Sequence, residues 1–446
     1  MSERADRIVA TLTEAFADLM AANPTAFRSK FRTMASDPFA FYRGTACLFY
    51  ADVTEGGPFA GVDSAWLGAE GARRIWIQGD LHAENFGTYL DAGGRLVFDV
   101  NDFDEAYVGH WTWDVLRFCA SLGLLGWQKA LPDATIDDLV ATYVRAYVEW
   151  VRHYVDTEDD TDWALTLSTA RGAVLDALHH ARLRTRVSLL DELTVVADYS
   201  RRFADRSGVR RLDDNEADRV KAAFTAYLDT VPRDRKEGVV MFDVLDVVGR
   251  EGFGVGSAGL PTYNVLIEGF SQALDNDVVL SLKQGNVAAP SRVVHDEEVA
   301  GFFHHHGHRT AVSQRALQAH ADRFLGWTEL PGHDGAPTGF VVSEQSPYEA
   351  DLDWASIDEP EQMQDVVAQL GQATAKIHCV DDDDAERDLV EVSVEQVVAE
   401  CVGDDLDGLV RDLQEFAHRY AEQVRDDHAQ FVDAFRGGAF ADVAPA

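Results

Sequence analysis

Lysine is nearly missing from this chain. Only six of its 39 basic residues are lysine, set against 77 Asp and Glu, so the formal net charge is −38 over 446 residues. That balance argues against nucleic acid as a partner, because phosphate backbones are held mainly by clustered Lys and Arg. Anionic membrane surfaces are disfavoured for the same reason. Cysteine is scarce as well. Cys47, Cys119, Cys379 and Cys401 lie far apart with no C-x-x-C, which speaks against a zinc site or disulfide framework and fits a reducing compartment. No apolar run reaches the roughly 18 residues of a membrane span. The opening MSERADRIVA lacks the basic-then-apolar order of a secretory signal. A cytoplasmic protein is the expectation.

What is present suffices for a core. Apolar residues make up 46% and aromatics 10%, so general disorder is excluded. The length suggests two or three domains, or one large two-lobed unit. The acid excess repels itself at low salt, and salt shortens the screening length from about 10 Å at 0.1 M to about 3 Å at 1 M. This predicts a halophilic protein of a salt-rich cytoplasm.

Along the chain, residues 1–22 read as an amphipathic helix broken at Asn23-Pro24. A second helical stretch covers PFAFYRGTACLFYADV. Short strands follow in RIWIQGDLHAENFGTYL and RLVFDVNDFDEA, with a turn at Asp91–Gly94. Residues 111–229 read as helical, with a capping box at Thr135-x-x-Asp138. Strands return in VVMFDVLDVV, TYNVLIEG and DVVLSLKQG. A helix near 310–324, a strand GFVVSEQ and helices from Glu361 onward complete the pass. The acidic run from Asp381 to Asp384 reads as a solvated loop. Segregated blocks of helix and strand indicate α+β.

Three stretches carry chemistry. In GDLHAENFG, Asp80 and Asn85 stand five apart, the spacing of a kinase catalytic aspartate and its metal-binding asparagine. A carboxylate can orient and deprotonate an attacking hydroxyl, and an amide oxygen can hold Mg²⁺ without adding charge. In FDVNDFDEA, Asp102 ends a strand where a metal aspartate would sit, with Asp99 and Asp104 as further hard-oxygen donors. Downstream, Gly252, Gly254, Gly256, Ser257 and Gly259 form a glycine-rich turn, and Lys283 follows on the third strand of that unit. A Rossmann turn needs a helix straight after it, whereas this one leads to Pro261 and a strand. Strand, glycine turn, strand and a strand lysine suit a nucleotide-covering loop with a phosphate-binding amine.

These motifs resemble the protein-kinase-like superfamily, notably its aminoglycoside phosphotransferase branch. The chain is also similar to a microbial family catalogued as domain of unknown function 2252, in DPFAFYRGTACLFY, IWIQGDLHAENFG, LVFDVNDFDEAYVGHWTWDVLR, VGREGFGVGSAG, LSLKQG, FLGWTE and YAEQVRDDHAQF. The resemblance implies Asp80 as catalytic base, Asn85 and Asp102 as Mg²⁺ ligands, the glycines over ATP, and Lys283 on its phosphates. It implies Asp114 as the helix residue that braces the catalytic loop. It also implies a bilobal kinase-like fold, with a small antiparallel β N-lobe and a mostly helical C-lobe. The glycine turn and lysine follow the catalytic loop instead of preceding it, so the fold would be circularly permuted. The expected division is 1–235 as helical lobe with the catalytic and metal loops, 236–346 as β-rich lobe, and 347–446 as helices packing back on the first.

The function expected is ATP- and Mg²⁺-dependent phosphotransfer to an unknown hydroxyl, on a small molecule by preference. One departure stands out: the helix after Lys283 offers Gln314 and Gln318 but no glutamate partner for the lysine. This keeps open a non-catalytic nucleotide-binding protein. A dinuclear-metal phosphoesterase is a further alternative, without the second His and Asn motifs it would need. His304–His308 reads as a polar loop or helix start, and Arg43 as either an ion-pair residue or a group that reaches a phosphate or a catalytic carboxylate.

Overall fold

The computed structural model describes residues 2–67, 74–157, 160–236, 242–250, 259–318, 320–332, 335–381 and 389–441. Helix α1 (Glu3–Ala22) is capped by the Ser2 hydroxyl, which accepts the Ala5 amide at 3.0 Å. Asn23 ends this helix and starts the next. Its amide donates to the Leu19 carbonyl, its side chain accepts the Ala26 amide, and Pro24 takes the first position of α2 (Pro24–Met34). A proline fits there because that N–H has no helical partner anyway. Helices α3 (Pro38–Arg43) and α4 (Ala46–Val53) follow.

Strands β1 (Ile75–Ile77), β2 (Phe86–Leu90), β3 (Leu96–Val100) and β4 (Tyr107–Gly109) come next. β1 pairs antiparallel with β4, and β2 with β3. The β2–β3 turn falls at Asp91–Gly94 as predicted, with the Asp91 carboxylate accepting the Arg95 amide at 2.8 Å and Gly94 at φ +82°. Long helices α5 (Trp111–Gln128) and α6 (Asp133–Asp156) then begin the helical core. The capping box at Thr135 is not realised. α6 starts behind Pro132, whose carbonyl accepts the Thr135 amide. Proline's fixed φ already sets the entry angle.

The stretch to Asp229 is less helical than its pattern predicts. It contains β5 (Leu165–Thr166), α7 (Gly172–Arg182), α8 (Arg186–Leu193), a hairpin of β6 (Thr194–Ala197) and β7 (Ser200–Phe203), β8 (Val209–Arg211), α9 (Asp214–Tyr227) and α10 (Arg233–Lys236). Beyond it run β9 (Val244–Arg250), β10 (Thr262–Ile267), β11 (Val278–Gln284), α11 (Glu297–Phe302), α12 (His306–Leu317), β12 (Gly326–Pro331), β13 (Pro337–Glu344) and β14 (Ala350–Asp351). Helices α13 (Pro360–Cys379), α14 (Val394–Val402) and α15 (Leu406–Arg436) close the chain.

The architecture is α+β with antiparallel sheets. One six-stranded sheet has the order β12-β13-β11-β10-β9-β8, and β14 crosses back to form a second sheet, β14-β2-β3-β5. The β-rich unit therefore begins before residue 236. β8 pairs with β9, and α9 lays Val220, Phe224 and Tyr227 into the same apolar cluster as Val247, Leu280 and Phe340. The C-terminal helices return to the first part, α13 along α6 and α15 along α5. Trp111 and Trp113 are core residues there. Asp381, expected in solvent, is buried; residues 382–388 lie outside the described set.

Candidate active site

The site is built around the segment that leaves β1. Gly79 sits at φ +83°, and a Cβ there would meet the Glu105 carbonyl at 2.1 Å, so only glycine fits. Asp114, in the first turn of α5, is fully buried and accepts the amides of Gln78 at 2.7 Å and Gly79 at 2.9 Å. Tyr50 donates to the Gly79 carbonyl at 2.8 Å. The Gln78 side chain accepts the Asp80 amide at 2.8 Å and donates to the Asp102 carbonyl at 2.5 Å. One glutamine thus couples the Asp80 and Asp102 segments.

Asp80 meets the buried Arg117, whose Nε donates to its carboxylate at 2.6 Å. The guanidinium also lies over the Tyr42 ring. Burial pushes the Asp80 carboxyl up to about 7. Arg117 pulls against that shift, and Glu105 and Asp102 add to it. His82 stays neutral, held well below its usual range by burial, then by Arg43 and Arg117. Asn85 is buried beneath the loop, and its amide nitrogen donates to the Asp80 carbonyl at 3.0 Å.

Asp102 follows β3 in a left-handed conformation at φ +56°. Such backbone in a non-glycine residue costs about 1–3 kcal/mol and concentrates at functional sites. Its carboxyl is raised, first by the surrounding protein and then by Asp104, with Lys283 opposing. Lys283 stands on β11 opposite Thr262 and Val341, and its amine forms an ion pair with Asp104. Burial alone would lower the Lys283 amine, but Asp104 and then Asp102 outweigh it and hold it raised.

The candidate residues thus divide. Asp80, Asp102 and Asp104 line one cleft, and Lys283 is tied to its wall through Asp104. Asn85 supports the loop from below. Asp99 is elsewhere. It is buried in an ion pair with Lys376 of α13 and also accepts the Val100 amide, so it is not brought to the cleft. Gln314 and Gln318 do not reach Lys283; Gln318 donates to the Val100 carbonyl at 2.9 Å. Gly252, Gly254, Gly256 and Ser257 lie outside the described residues. Gly259 is at φ +84°, and a Cβ there would come within 3.1 Å of Asn23 on the approach to α2. The strands on either side of this stretch, β9 and β10, pair antiparallel.

Sequence reasoning missed three residues. Arg117 stands three after Asp114, so one face of α5 presents an acid and a base to the same loop, a spacing that would have revealed it. Arg309 of α12 is buried and donates to the carbonyls of Ala106, Asp104 and Asn286, joining the Asp102 segment to the sheet. Lys30 of α2 lines the cleft; nothing in its helical pattern marks it. Arg43 lines the cleft too, in an exposed ion pair with Glu84. The His304–His308 run is a helix start, with His305 capping α12.

A family profile described as "Uncharacterized protein conserved in bacteria (DUF2252)" matches residues 22–434. The chain belongs to this family. The match takes in every segment that builds the cleft from Asn23 onward, including α2, the Asp80 loop, the Asp102 segment and β11. No curated protein and no solved structure matches the chain.

Proposed function

We propose that this DUF2252 protein transfers the terminal phosphoryl group of ATP, with Mg²⁺, to a hydroxyl of an acceptor. The frame would be a bilobal kinase-like one, circularly permuted. The observation that carries the reading is the Lys283–Asp104 ion pair, formed across 179 residues of sequence. It sets a lysine from the third strand of a glycine-turn sheet beside the aspartates that follow β3. Phosphoryl transfer needs little covalent chemistry from a protein, chiefly positioning and charge neutralisation.

Asp80 fits the base. Held near neutrality, its carboxylate would orient the acceptor hydroxyl and take its proton as that oxygen attacks phosphorus and the bond to the ADP oxygen breaks. Asp102 suits Mg²⁺: it is a hard oxygen donor lining the cleft, and its carboxylate is engaged by the Asp104 backbone amide and not by another side chain. The amide oxygen of Asn85 is a second such donor. Mg²⁺, when bound, would neutralise nucleotide phosphates that the acidic cleft otherwise repels.

The test is titration of Mg·ATP into the protein across a range of KCl concentrations, followed by transfer into a pool of hydroxyl metabolites. Asp80→Asn is expected to abolish transfer and leave nucleotide binding intact. Lys283→Ala should weaken both. Absence of nucleotide binding at every salt concentration would sink the reading. The Lys283 amine already holding Asp104 favours a second reading, a nucleotide-binding protein without transfer. Binding with no transfer to any acceptor would select it. The dinuclear phosphoesterase is disfavoured by the sequence, which has no Asp-x-His upstream of Asp80 and no Asn-His-Asp/Glu downstream.

A further inference from the structure

Lys30 is 6% exposed and lines the cleft, yet it has no hydrogen bond or ion pair with any described residue. Its amine lies 4.2 Å from the centre of the Phe16 ring and 5.6 Å from that of Phe27. Arg292, just beyond β11, lines the same end. It donates to the Ala15 carbonyl at 2.9 Å and has no carboxylate partner among the described residues. Every other cation of the site is engaged. Lys283 has Asp104, Arg117 has Asp80, Arg43 has Glu84, and Arg309 has three carbonyls. In a chain with twice as many acids as bases, two basic residues without a carboxylate in one cleft are an anomaly. Burial without a direct counterion holds the Lys30 amine below its usual range, and an anion bound beside it would restore the charge.

Activation of a nucleophile does not account for the pair. Cys47 lines the same cleft, but burial pushes its thiol up to about 11 despite both basic residues, so it remains protonated. Glu105 is close by: one of its oxygens accepts the Ala289 amide, and its charge acts on Lys30 without a direct ion pair. Lys30 and Asp80 line the same cleft, so an anion held by Lys30 would share that cleft with the proposed base.

We propose that the acceptor carries an anionic group, a phosphate or carboxylate, which Lys30 and Arg292 hold while its hydroxyl faces Asp80. That the anion belongs to an acceptor rests on the phosphotransferase reading; the anion site itself does not.

The experiment titrates inorganic phosphate into the full chain saturated with Mg·ADP, at fixed KCl. Wild type should bind it. Lys30→Met and Arg292→Gln should each weaken binding by about tenfold or more, the scale of one charge-assisted hydrogen bond. Lys30→Arg should restore part of the affinity, and Mg·ADP affinity should change less than about twofold across the set, well under the tenfold that one such bond is worth. Lys30→Met should melt no lower than wild type, because it removes a buried amine that has no hydrogen bond or ion pair among the described residues. Phosphate affinity unchanged by Lys30→Met, or no phosphate binding by wild type, overturns the proposal. A selective loss of Mg·ADP affinity also overturns it, by assigning these cations to the nucleotide. Phosphate binding that depends on Lys30 in a protein that never binds Mg·ADP keeps the anion site and sinks the phosphotransferase reading instead.

Discussion

Asp80 shows how two opposed influences set one group's chemistry. Removal from water raises its carboxyl far above the ordinary range, and the Arg117 guanidinium brings it back to about 7. A base must be deprotonated to act, so kcat/KM should fall on the acid side with a limb near pH 7. Arg117→Gln removes the lowering influence and leaves the burial. The limb should then move up, by about one to three pH units for the loss of an adjacent opposite charge. Arg117→Lys keeps the charge and should hold the limb near its original place. A limb that stays put in Arg117→Gln, in a sample whose melting shows it folded, would remove Asp80 as the titrating base.

At the level of elements, the pair between Asp99 of β3 and Lys376 of α13 joins the hairpin to the helical core. Both side chains are almost fully buried. Removing one partner strands the other charge, at a cost of about 3–5 kcal/mol, whereas replacing both with apolar residues is often neutral. Asp99→Asn should therefore lower the denaturation midpoint strongly, and Asp99→Leu with Lys376→Met should recover most of it. Specific activity of the folded fraction should be unchanged in both. Asp102→Asn should do the reverse, weakening Mg²⁺-dependent nucleotide binding with little effect on stability. If Asp99→Asn stays fully stable and loses its Mg²⁺ response, Asp99 is a ligand after all. This pair also marks where the sequence stopped being legible. Asp99, Asp102 and Asp104 look alike in FDVNDFDEA, and only strand alternation separates the one that faces α13. The β2–β3 hairpin was readable because glycines punctuate it, and the strands around the glycine turn because β-branched residues crowd them. The β6–β7 hairpin was not, since its SRRF strand carries arginines and it is too short for its period to show. Asp114 was legible only through the resemblance that WTWDVL carries. Arg309 and Lys30 were not legible, because their roles depend on contacts between segments far apart in sequence.

For the whole molecule, the dominant quantity is the net charge of −38. Two salt effects oppose each other. Screening weakens the many Arg–carboxylate pairs at the surface, such as Arg145 with Asp407 and Arg206 with Glu192. Each exposed pair of this kind contributes only about 0–1 kcal/mol, and such pairs are few beside the 38 unmatched negative charges. Screening also relieves repulsion among those charges, which at 0.1 M salt reaches about 10 Å and at 1 M about 3 Å. The repulsive part involves more charges and longer distances, so it should win, and added KCl should stabilise the fold. The melting temperature should climb steadily from 0.1 M to molar KCl, with loss of cooperative unfolding on dialysis into water. Choline chloride should act much as KCl does if screening is the cause. A flat or falling melting curve over that range would mean that surface ion pairs, not self-repulsion, govern the stability of this chain.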